Sequence, residues 1–99
     1  MTSWHPWRAY LFSYKPLMWR DGAIKQIVNS TPEIGYWMHF LPNAYILISN
    51  LSATDLAARL RQQLNDSEWF IVTRLDPQAT DGWLPQEAWD RINNPRTRA

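Results

Sequence analysis

Residues 35–50 read GYWMHFLPNAYILISN. Two runs rich in aromatic and β-branched residues flank the turn Leu41-Pro42-Asn43-Ala44, which is the pattern of a β-hairpin with arms at about Gly35–Leu41 and Ala44–Ser49. Side chains alternate between the faces of a strand, so Trp37 and His39 share one face of the first arm.

Two further strands are expected on either side of this hairpin. Trp7 to Tyr14, WRAYLFSY, alternates bulky residues and reads as strand one, with Tyr10, Phe12 and Tyr14 on one face and Trp7, Ala9 and Leu11 on the other. Lys15-Pro16 closes it, because proline cannot donate to a ladder and restrains the residue before it. Glu68 to Leu75, EWFIVTRL, reads as strand four.

Helices fall between these strands. Ala23, Ile24, Ile27 and Val28 fit one helical face, giving a first helix over about Trp19–Asn29 that Thr31-Pro32 stops, with Gly22 as a weak point inside it. Ser52 is a good N-cap with Asp55 three residues on, and Leu56, Leu60 and Leu64 follow at i, i+4 and i+8, so a second helix is expected over Ala53–Asn65. Pro85 opens a short third helix with Ala88, Trp89 and Ile92 on its apolar side, ending at Asn93-Asn94-Pro95.

The order β-α-β-β-α-β plus a terminal helix predicts an α+β fold of the ferredoxin-like type. That is a four-stranded antiparallel sheet with two helices on one face. One domain over residues 1–94 is expected, with a loose arm at Met1–Pro6 and a disordered tail at 95–99. The exposed face of such a sheet should be polar. Here Phe70 and Val72 alternate with Trp69 and Ile71, so both faces are apolar and something is expected to cover the second. The candidates are the terminal helix and a second copy of the chain.

Composition narrows the function classes. The 99 residues carry ten Lys and Arg against nine Asp and Glu, a formal net charge of +1. A dedicated duplex binder carries a basic surplus, because phosphate neutralisation supplies most of its affinity. There are no cysteines, which removes disulfide and thiolate chemistry. No apolar run reaches the ~18–20 residues that span a bilayer, and the N-terminal residues lack a signal-peptide pattern, so a cytoplasmic protein with no membrane partner is expected. Seven tryptophans are many for this length. A covered Trp buries about 150–250 Å², and a small domain has room to bury only some of them fully. Either several cap the edges of one core, or aromatic surface lies at a groove or subunit contact.

The chain holds few groups in catalytic patterns. His39, between aromatic neighbours, is either a general acid–base or metal ligand, or a half-buried histidine bonded to its surroundings. His5 has no evident partner. No His or Cys cluster has metal-ligand spacing, no glycine-rich phosphate loop occurs, and the serines lack a nucleophile-elbow context. Asp76 and Asp81 share one loop and fit either a cation site or turn formation. Aromatics near arginines on a sheet can stack single-stranded bases, but strand four lacks the RRM signature, which favours packing or a dimer contact. The candidate contact residues are Trp37, His39, Trp69, Trp83 and Trp89.

The strand YLFSY, the hairpin YWMHFLPNAYILI, the helix SATDLAARLRQQL and the segment DGWLPQEAWDRIN together resemble small SinR-like proteins, over about Tyr10 to Asn94. These are ferredoxin-like relatives of the CRISPR adaptation nucleases and of VapD-type toxins. The resemblance implies a homodimer in a nucleic-acid, defence or toxin–antitoxin setting, with RNA or DNA as a candidate partner. In the nuclease relatives an aspartate at the end of strand one holds a divalent metal across the dimer. The matching position is Lys15, whose charge repels magnesium; Asp21, the nearest acid, lies beyond the strand end. The expectation is therefore a non-catalytic interaction module without a cofactor. The alternative is a small endonuclease that uses magnesium, with His39 or Tyr14 in the reaction.

Overall fold

The computed structural model describes residues 6–15, 22–64 and 68–97. Its elements are β1 (Arg8–Tyr14), α1 (Ala23–Ser30), β2 (Ile34–Leu41), β3 (Ala44–Ser49), α2 (Ala53–Arg61), β4 (Phe70–Arg74) and α3 (Gln86–Asn93). His5, Asp21 and residues 19–21 of the expected first helix lie outside the described residues.

The hairpin forms as its sequence dictates, with a two-residue turn at Pro42-Asn43 and Leu41 opposite Ala44. Its second arm becomes an interior strand. β3 pairs with β2 on one side and β1 on the other, and all six of its residues are buried. β1 in turn pairs with β4, so the antiparallel sheet runs β2-β3-β1-β4. This α+β arrangement of an open four-stranded antiparallel sheet and three helices is compatible with a ferredoxin-like fold.

The alternation of β1 divides the interior into two cores. Tyr10 and Phe12 join Tyr45 and Leu47 of β3, and onto them pack Ile24, Ile27 and Val28 of α1 and Leu56 and Leu60 of α2. This is the first face. Ala9 of β1 joins Ile46, Ile48 and Met38 on the opposite, second face, and Ala88 and Ile92 of α3 cover them. α3 is therefore one cover of the second face.

Each helix is stopped by local chemistry. Gly22 sits just before α1 at φ 81°, a left-handed backbone that glycine adopts readily and a right-handed helix does not contain, so no helix runs through position 22. At the other end the Thr31 hydroxyl donates to the Ile27 carbonyl (2.7 Å) and accepts from Gln63 Nε2 (2.8 Å), tying the end of α1 to the segment after α2. Ser52 Oγ accepts the Asp55 N–H at 3.1 Å as the N-cap of α2. Asp55 in the first turn and Arg59 and Arg61 in the last complement the helix dipole. α2 stops at Arg61, short of the expected Asn65. The chain tightens there into i→i−3 bonds, Gln63 N–H to Leu60 and Leu64 N–H to Arg61, which turn Leu64 inward.

The loop after β4 is built by its aspartates. Asp76 Oδ1 accepts the Gln78 N–H (2.9 Å) ahead of a 3₁₀ turn at Pro77–Ala79, and Asp81 Oδ1 accepts the Gly82 N–H (2.8 Å). Of the two readings of this pair, turn formation is the one their contacts match.

In the last turn of α3, Arg91 is buried with its guanidinium 3.8 Å from the Tyr36 ring centroid. It donates to the Arg96 carbonyl, while Arg96 pairs with Asp90. Residues 95–97, the described part of the segment expected as a tail, are half-buried. Thr97 and Trp7 close over Gly35 so tightly that a Cβ there would collide with Thr97 Cγ2. No helix among the described residues is long and apolar enough to cross a membrane.

Candidate functional site

The candidate residues on the strands and on α3 separate to opposite sides of the sheet, while Trp83 stands in a loop. On the first face, at the hairpin end, Tyr14, Trp37 and His39 gather round Tyr45. The His39 imidazole lies flat on the Tyr45 ring, 4.1 Å between centroids and 7° between planes. Trp37 stands 5.5 Å from Tyr45 and Tyr14 6.2 Å. The two-residue alternation that places Trp37 and His39 together is met, because both reach the same ring.

Polar handles fix this cluster. The Trp37 indole N–H donates to Asn29 Oδ1 at the end of α1 (2.8 Å), and Lys25 Nζ of the same helix lies 5.8 Å from the Trp37 ring centroid. The Tyr14 hydroxyl reaches toward the Pro42 carbonyl in the hairpin turn (3.4 Å). Burial, and then the neighbouring Tyr45 phenol, raises the Tyr14 pKa above the usual tyrosine value; burial raises that of Tyr45. Both shifts favour the neutral, hydrogen-bonding form of the phenols. Among the described residues, no group of three or more His, Cys, Asp or Glu is placed to hold a metal ion.

The remaining candidates are Trp69, Trp83 and Trp89. Trp89 packs half-buried on the core under α3. Trp69 is 74% exposed, with the Lys15 ammonium 5.6 Å from its ring centroid, and Trp83 in the loop before α3 is 98% exposed. Ile71, which shares a strand face with Trp69, is 62% exposed. Phe40 and Leu41, at the tip of the β2–β3 hairpin, are exposed as well. The sequence marks Ile71 as apolar without setting it among the candidate contact residues. The signal that finds it is the alternation of β4 itself, since Phe70 and Val72 enter the first core and leave Trp69 and Ile71 on the second face.

β4 also borders a groove. Between it and α2 lies an open cleft of about 830 Å³, lined on the helix side by Ala53, Thr54, Ala57, Ala58 and Arg61 and on the other by the whole run from Glu68 to Val72. Its helical wall is made mostly of small side chains, so a backbone can come close.

No protein-family model, curated protein or solved structure matches this chain at a level that indicates kinship.

Proposed function

We propose that this chain is a ferredoxin-like, non-catalytic interaction module that acts as a homodimer through its sheet. The observation that carries this reading is the apolar surface left bare on the second face, where Trp69 and Ile71 stand exposed side by side on one strand. Monomeric domains seldom expose adjoining large apolar side chains without a partner for them. The strand order β2-β3-β1-β4, with α1 and α2 each spanning a connection between strands, supports the ferredoxin-like part. The resemblance to SinR-like proteins points to the same fold and to a dimer. Ring packing on Tyr45 accounts for the positions of His39 and Tyr14, which supports a non-catalytic role for both.

Light scattering across the micromolar range tests the reading, with a dimer mass expected. A monomer at every concentration removes it. RNA or DNA cleavage that disappears in a folded His39→Ala variant replaces it with the nuclease.

A further inference from the structure

The sheet has two edges, and they differ. β2 is broken by register shifts between Ile34 and Tyr36 and between Met38 and Leu41. Such irregularities are a usual protection of an edge against further pairing. β4 has none. Its five residues match β1 in unbroken register from Tyr14↔Phe70 to Tyr10↔Arg74, and it contains no proline and no lysine. Among the described residues, no strand pairs on its outer side.

The direction of its free backbone groups follows from the ladder. The Lys15 N–H donates to the Trp69 carbonyl and the Leu75 N–H to the Ala9 carbonyl, both at 2.9 Å. Odd-numbered residues of this strand therefore form the hydrogen-bonded pairs with β1. In an antiparallel ladder the alternate residues direct their N–H and C=O groups the other way. Phe70, Val72 and Arg74 thus present theirs to the open edge, beside the groove with α2.

From this geometry we propose that β4 is the self-association edge. Two copies pair their β4 strands antiparallel about a two-fold axis at Ile71, making one sheet of eight strands. The proposal rests on the homodimer reading above and names its surface and register.

The bare apolar residues select a second copy as the occupant. Centred on Ile71, the run Trp69-Phe-Ile-Val-Thr73 sets large apolar side chains against one another when it meets its own reverse. This register also sets outward-directed residues against one another, Phe70 against the partner's Val72, as edge hydrogen bonding requires. On the second face it brings the two Ile71 side chains together, with each Trp69 diagonal to the partner's Ile71, so the bare apolar residues of both copies cover each other. An isologous contact of this kind closes at two subunits.

The chain has no native cysteine, so single cysteines report the register. Ile71 and the partner's Ile71 form a non-hydrogen-bonded pair with Cα atoms about 4.5 Å apart, within disulfide reach. Thr73 and the partner's Thr73 lie four residues out of line, about 13–14 Å along the strand. Mild oxidation should therefore convert Ile71→Cys to a covalent dimer and leave Thr73→Cys monomeric on a non-reducing gel. Ile71→Arg should self-associate about tenfold more weakly or worse, because it sets two like charges directly opposite each other at the axis.

A dimer by light scattering in which Ile71→Cys does not cross-link, or Thr73→Cys cross-links equally, overturns the β4 edge while the homodimer reading stands. A monomeric wild-type chain removes both. Should Ile71→Arg fail to fold by circular dichroism, the cysteine pair decides alone. Saturable binding of an extended peptide or a single-stranded oligonucleotide to a monomeric wild-type chain, lost in Ile71→Arg, assigns the edge to that ligand instead.

Discussion

The two faces of this sheet are apolar alike, yet they are roofed unequally. The first is covered by two helices, α1 and α2, whose buried Ile24, Ile27, Val28, Leu56 and Leu60 meet β1 and β3. The second has one helix, α3, joined at its margins by Trp7, Leu75 and Leu84. Eight residues of α-helix span about 12 Å, whereas four strands stand about 14–19 Å across. α3 therefore shelters Ala9, Met38, Ile46 and Ile48 and cannot also reach Ile71 and Trp69. The difference teaches that a hydrophobic pattern states what must be covered, while the length of the covering element decides how much remains for a partner.

Truncating the first roof should have the largest effect. Leu60 is fully buried between α2 and the sheet, and Leu60→Ala should cost about 2–5 kcal/mol in urea unfolding. The cover of the second face comes next. Ile92 is equally buried but lies on a short peripheral helix that can settle inward, so Ile92→Ala should cost about 2 kcal/mol, at the low end of that class. A loss equal to that of Leu60→Ala would mean that the two roofs are energetically the same.

A smaller effect should separate the faces by pH. Tyr14 and Tyr45 both belong to the first face, and burial raises their pKa values above the usual 10.0. Below pH 10 both the folded and unfolded chains keep these phenols protonated, and the stability they contribute is fully present. Above it the unfolded chain ionises first, so stability falls as pH rises through the raised values. Thermal melting between pH 9 and about 11 should show this decline, and Tyr14→Phe should lessen it; a decline unchanged by that substitution would place its origin elsewhere. The bare strand should respond least. Ile71→Ser should change stability by within about 0.5 kcal/mol while lowering self-association measured by light scattering. A loss comparable to Ile92→Ala would show that Ile71 is covered within a single chain.

Much of this architecture is legible in the residues themselves. The hairpin arms match their expected spans, because β-branched and aromatic alternation around a Pro-Asn turn leaves few alternatives. The Ser52 cap and the buried leucines of α2 follow the same logic. Position 22 is less legible. A glycine reads as a mild defect within a helix, and only the backbone shows that its left-handed φ sets the boundary. Arg91 is not legible at all. Nothing on α3 marks one arginine for burial, since the ring it covers belongs to β2 and the carbonyl it bonds lies beyond the helix. Likewise the aromatic candidates read as one surface, although strand parity sends Trp37 and His39 to one side and Trp69 to the other. Assigning parity to every strand requires the register, and registers come from long-range pairing.

The central place of β1 bears on how the molecule reaches this state. The β2–β3 hairpin closes over a two-residue turn and can form quickly from neighbours in the chain. β1 has no such neighbour. Its partners are β3, beyond α1 and the first arm of the hairpin, and β4, beyond α2. Both long loops must close before Tyr10 and Phe12 are paired on each side, and closures of that length slow folding. The strand that ties the sheet together depends on partners distant in the chain.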